Sequence, residues 1–149
     1  MKVQKLLFAI LLTVLFVTGC SNRVNVVNEV ENQAHEVIVQ KRVGDKNEYP
    51  HFRGVSDAKL VSKAITILDE ANWENAKVEM ENPPHYKFNF NYANNEIKSN
   101  RVIYALWISP NKDKIELVMQ GESKYVQLTK EKSAELFEII TGSQLSDLN

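Results

Sequence analysis

Tyr86, Phe88, Phe90 and Tyr92 alternate with Lys87, Asn89 and Asn91. A period of two puts the four rings on one face of a strand and the polar side chains on the other. Such a strand must lay its aromatic face on a core, so it requires a sheet and something to cover it. The next apolar stretch, 102–109, has no polar face at all. Val102, Tyr104, Leu106 and Ile108 share one side, and Ile103, Ala105 and Trp107 share the other. That pattern suits a central strand. Turns at 94–100, at Pro110-Asn111-Lys112-Asp113 and at Gly121-Glu122-Ser123 separate this stretch from its neighbours, Ile115/Leu117/Met119 and Tyr125 to Leu128. Connections this short join antiparallel strands.

Before the aromatic strand, His35 to Val43 alternates Val37, Val39 and Val43 with Glu36, Gln40 and Arg42, with Lys41 as an imperfection. Residues 44–55 carry Gly44, Asp45, Asn47, Pro50 and Gly54 and read as a loop. Ser56 then suits an N-cap, and Leu60, Val61, Ala64, Ile65, Ile67, Leu68 and Ala71 recur at helical spacing. The helix runs about sixteen residues, ends near Asn72, and leaves Trp73 beside it or at the surface. Pro83-Pro84 breaks the chain ahead of the aromatic strand. Thr129 caps a last helix whose buried stripe is Ala134, Leu136, Phe137, Ile139 and Ile140, with Gly142 at its end and a frayed polar tail beyond. The expectation is an α+β fold: an antiparallel meander sheet of about four to five strands with two helices packed on one face. Residues 35–149 make one such domain, and 44% hydrophobic with 25% charged residues is the globular range.

The first 34 residues have a different character. Lys2 and Lys5 precede the uncharged run Leu6 to Val17. A positive start followed by a short apolar run is the layout of an export signal. A dozen helical residues rise about 18 Å, short of the roughly 30 Å hydrocarbon core, so a permanent span is disfavoured. The run ends in Val17-Thr18-Gly19-Cys20, which resembles the lipobox of bacterial lipoproteins. The resemblance implies a signal peptide over 1–19, cleavage after Gly19, and a diacylglyceryl thioether on Cys20. Residues 20–34 become the lipidated cysteine and its tether, with Val24, Val26 and Val30 as a weaker option for an edge strand. Cys20 is the only cysteine, so neither an internal disulfide nor a second, catalytic thiol is available. Removing 1–19 leaves 16 basic and 19 acidic residues, which disfavours a nucleic-acid partner.

Little else in the chain points to chemistry. His35, His51 and His85 are far apart, without the close pairs of a metal site. Phosphate-loop, nucleophile-elbow and H-E-x-x-H patterns are absent. Glu79 and Glu81 share a strand-like face and read more simply as a solvated edge than as an acid–base pair. No catalytic, cofactor-binding or metal residue is therefore expected. One surface feature stands out. If the helices cover Tyr104 and Leu106, then Ile103 and Trp107 face the other way and offer a possible interaction patch. The simpler expectation is that the tether or the 44–55 loop covers it.

The helix ending near Trp73, Pro84-His85-Tyr86-Lys87-Phe88, Tyr104-Ala105-Leu106-Trp107-Ile108, and Tyr125-Val126-Gln127-Leu128-Thr129 leading into the last helix make the mature region similar to small YhfM-like lipoproteins of Bacillus-type Gram-positive bacteria. The resemblance implies a lipid-anchored domain at the cell membrane, facing outside the cytoplasm, and implies no activity. The leading expectation is a non-catalytic module that binds or modulates another envelope component through a protein partner. The rivals are an envelope enzyme with a dispersed site and a small-ligand-binding lipoprotein.

Overall fold

A computed structural model describes residues 34–75, 78–93 and 102–148. The signal, Cys20, the tether up to residue 33 and the turn at 94–100 lie outside the described residues. The strands are β1 (Ala34–Lys41), β2 (His51–Val55), β3 (Glu74–Asn75), β4 (Tyr86–Tyr92), β5 (Ile103–Ile108), β6 (Ile115–Gln120) and β7 (Lys124–Gln127). The helices are α1 (Ala58–Asp69), between β2 and β3, and α2 (Lys130–Thr141), after β7. The described strands form one antiparallel sheet in the order β2-β1-β4-β5-β6-β7-β3.

The α+β class stands, with two helices, but the sheet has seven strands rather than four to five. β4 to β7 are the expected meander. The additional strands are β2, inside the stretch read as a loop, and the two-residue β3. β2 pairs with β1 through a register shift between Val39 and Gln40, which breaks the simple alternation that marks a strand in sequence.

Pairing aligns the inward residues in rows. Val37 lies opposite Phe90, and Val39 opposite Phe88. Phe88 lies opposite Tyr104, and Leu106 opposite both Tyr86 and Leu117. These side chains join Val61, Ala64, Ile67 and Leu68 of α1 and Leu136, Phe137, Ile139 and Ile140 of α2 in one buried cluster. Both helices therefore cover the same face. The aromatic ladder is core, as expected: Phe88 stacks on Tyr104 with centroids 5.0 Å apart, and Tyr86 meets Phe137 edge-on at 6.0 Å.

Local chemistry sets the helix ends. Asp57, not Ser56, caps α1; its Oδ1 accepts from the Lys59 and Leu60 amides at 2.9 and 3.1 Å. The helix starts one residue later than expected and ends at Asp69 rather than near Asn72, so it has 12 residues, and Leu60 is 39% exposed. Trp73 folds back, and its Nε1 donates to the Leu68 carbonyl at 2.8 Å. Thr129 caps α2 by accepting from the Lys132 amide, and Gly142 ends it in the left-handed region. The α2 stripe includes Ser133 rather than Ala134, which is exposed. The tail is not frayed over its length: Leu145 starts a 3-10 turn and is buried.

Candidate functional site

On the sheet face away from the helices, the polar residues Gln40, Lys87, Asn89 and Asn91 are half-buried, and β5 is covered more fully. Along one row lie Gln40, Lys87, Ala105, Val118 and Tyr125. Ala105 is fully buried although it alternates with the inward Leu106. Residues 78–84, the connection between β3 and β4, lie against this face. The Trp107 Nε1 donates to the Asn82 carbonyl at 2.7 Å. Pro83 and Pro84 hold the connection extended, since neither can enter a helix interior and each restricts the residue before it. Their carbonyls are tied to the β1–β2 loop region: the Arg42 guanidinium donates to Pro83 at 3.1 Å, and the Tyr49 hydroxyl donates to Pro84 at 2.8 Å. The result is a strap across the indole.

Trp107 is half-buried, and the described residues beside it come mainly from this strap. Asn47 of the 44–55 loop reaches the same groove, but the strap supplies Val78, Met80, Glu81 and Asn82. Sequence reasoning missed the strap because its residues show no periodicity; Pro83-Pro84 was the available signal. Ile103 is 37% exposed at the start of β5 and lines neither groove beside Trp107.

Open space flanks the strap on both sides. One groove of about 390 Å³ is lined by Trp107, Val118, Lys87, Asn47 and Gln120. Another of about 330 Å³ is lined by Trp107, His85, Ile108, Ser109 and Glu116. Both share Met80, Glu81 and Asn82. The Lys87 ammonium is held 4.0 Å from the Tyr49 ring centroid by a cation–π contact.

His85, Ser109 and Asp113 are the residues nearest to a catalytic set, and their hydrogen bonds serve the backbone. The Ile108 amide donates to His85 Nδ1 at 3.2 Å, which leaves the imidazole proton on Nε2. Burial, aided by the nearby Arg42 charge, pushes the His85 pKa below its ordinary value and favours the neutral ring. The Ser109 hydroxyl donates to Asp113 Oδ1 at 3.2 Å and accepts from the Lys114 amide at 3.1 Å, closing the β5–β6 turn. A nucleophile would need its proton aimed at a base that is itself oriented by a third group. Here the serine proton goes to the carboxylate, and the histidine acceptor is occupied by a backbone amide. Lys130, 2.8 Å from Asp113, holds that carboxyl below the usual range.

His35 and His51 are exposed on β1 and β2, remote in sequence position from His85. Glu79 and Glu81 are exposed and lie outside any strand. Among the described residues, no three His, Cys, Asp or Glu side chains converge in a group able to hold a metal. No described helix is long and apolar enough to cross a membrane.

A family model described as YhfM protein matches residues 30–146. The chain belongs to the YhfM family. No curated protein matches it. Among solved structures, this YhfM chain is similar to the crystal structure of a thioesterase-like protein from Clostridium sporogenes. The TM-score is 0.52 at 15% identity, covering 76% of this chain and 99% of that one. At that identity the likeness concerns the fold alone. It places the YhfM sheet-and-helix arrangement among architectures seen by crystallography.

Proposed function

We propose that this YhfM-family protein is a lipoprotein. In this reading it is exported by residues 1–19, anchored in the cell membrane by lipid on Cys20, and faces outward to bind or modulate another envelope component. The observation that carries the reading is Val17-Thr18-Gly19-Cys20 directly behind an uncharged apolar run with Lys2 and Lys5 in front. Two acyl chains, at about 0.8 kcal/mol per buried methylene, hold a protein at a bilayer far more firmly than one. The family match begins at residue 30, past Cys20, as it should for a domain behind a spacer. A binding role, rather than a catalytic one, is favoured by the engagement of His85 and Ser109 with backbone and turn partners.

The test is metabolic labelling with radioactive palmitate in cells expressing the wild-type chain or Cys20→Ala. Label is expected on the wild type only. Absence of label from both, or equal label on both, would overturn the lipid anchor.

A further inference from the structure

We propose that His85 is an acid-sensitive latch for the strap: in its neutral form it ties the strap to β5, and on protonation it lets the strap loosen from Trp107. The inference goes beyond the envelope-binding reading above and does not depend on the lipid anchor. Its basis is a run of four successive ties, from residue 82 to residue 85. The Asn82 carbonyl accepts from Trp107 Nε1 at 2.7 Å, and the Pro83 carbonyl from the Arg42 guanidinium at 3.1 Å. The Pro84 carbonyl accepts from the Tyr49 hydroxyl at 2.8 Å, and His85 Nδ1 from the Ile108 amide at 3.2 Å. Little apolar burial backs these bonds. Val78, Glu79, Glu81, Asn82 and Pro83 are exposed, Met80 is half-buried, and within 78–84 only Pro84 is buried. A segment held in this way opens at the cost of a few hydrogen bonds rather than of a core. Of the four ties, only the last runs through a group of the kind that titrates between about pH 5 and about pH 8.

Protonation acts on two of these ties. A neutral imidazole can accept through Nδ1, whereas an imidazolium carries a proton on both nitrogens. Charged His85 would point a donor at the Ile108 donor, and that bond is lost. The new charge also faces Arg42, whose guanidinium makes the Pro83 tie, and like charges weaken it. Three carboxylates work the other way, since Glu79, Glu81 and Glu116 line the same groove as His85. Glu79 and Glu81 are exposed, where an ion pair contributes little, and Glu116 accepts from the Gln127 amide at 3.1 Å. Asp113, in the β5–β6 turn, is paired with Lys130, and Lys87 lines the other groove and is held over Tyr49. Burial and Arg42 outweigh the carboxylates and keep the His85 pKa below the ordinary 6.5. The closed strap therefore holds a proton on His85 less tightly than the open strap does. Falling pH, through 6.5 and below, shifts the balance to the open form.

Trp73 and Trp107 are the only tryptophans, so a Trp73→Phe background makes fluorescence report on Trp107 alone. Strap opening is read as the acrylamide quenching constant of Trp107, divided by the fluorescence lifetime so that quenching by a charged imidazole does not count. The full chain in that background, in detergent, is measured from about pH 7.5 to about pH 5. The constant should rise about twofold or more on acidification, as loss of a single tie allows, with a midpoint below 6.5. His85→Asn sets an amide oxygen near the place of Nδ1 and does not titrate, so it should keep the low value throughout. His85→Ala, which lacks the acceptor, should give the high value throughout, and Leu60→Ser, on α1, should follow the parent protein. Circular dichroism identifies any variant that fails to fold; if His85→Ala does, the parent and His85→Asn decide the matter. A constant that does not change with pH in the parent, or that rises equally in His85→Asn, overturns the proposal. So does loss of the circular dichroism of the parent together with the rise, because the domain and not the strap would then have opened.

Discussion

Ser133 shows how one hydroxyl can turn a helix. It is fully buried, and its Oγ accepts from the Ile115 amide at 3.0 Å and donates to the Leu128 carbonyl at 3.4 Å. The first residue of β6 thereby has its N–H satisfied inside the core, where an orphaned donor costs about 1–3 kcal/mol. Ser133→Ala is expected to destabilise the domain by about that amount in urea denaturation; a loss under about 0.5 kcal/mol would show that water or a backbone shift replaces the hydroxyl. Hydrophobic patterning cannot find this residue. Serine scores as outward, so the sequence places Ala134 in the buried stripe, and the partner that draws Ser133 inward belongs to a strand 18 residues away in the chain. Trp107 is the opposite case. It was legible as an outward aromatic on a doubly apolar strand, while its hydrogen-bond partner on Asn82 was not.

The elements differ in how openly they announce themselves. β4 is written in four alternating rings, and α2 in its Thr129 cap and terminal glycine. Gly142 has φ 75°, and a Cβ there would meet the Arg53 guanidinium of β2. Gly142→Ala should cost about 1–2 kcal/mol from the left-handed backbone, read as a lowered thermal midpoint. Gly142→Asn should lose less of the backbone term, since asparagine tolerates that region better. An alanine variant as stable as wild type would mean that α2 ends differently in solution. β2 is hidden for a physical reason. His51-Phe52-Arg53-Gly54-Val55 is short, contains a glycine, and joins β1 across a register shift, so its single well-buried residue is Val55. β3 is two exposed residues held by pairing with β7 alone, which no local pattern can encode.

At the scale of the whole molecule, cooperative unfolding couples the core to pH. Burial, reinforced by Tyr92, Asp69 and Glu122, pushes the Tyr104 pKa up to about 12 from an ordinary value of 10.0. Between those values the folded chain keeps a proton that the unfolded chain has lost, so stability falls as pH rises through that window. Urea midpoints should therefore drop between about pH 10 and about pH 12, and Tyr104→Phe should flatten the decline. Equal slopes in the two proteins would remove Tyr104 as the cause. The class of the fold, its meander and its two helices were legible from periodicity. The grooves were not, because they arise where a strap without pattern crosses a strand distant from it in sequence. The sheet order also governs how the domain carries load. β1 is the first described strand, yet it lies inside the sheet, hydrogen-bonded to β2 on one flank and β4 on the other. A pull transmitted along the chain to Ala34 meets the β4 ladder first and the β2 ladder from Val37 onward, so it cannot peel away a free edge. Tension from the N-terminal side is thus shared with both neighbouring strands within the length of β1, which gives the domain a mechanical grip that a strand at the rim would lack.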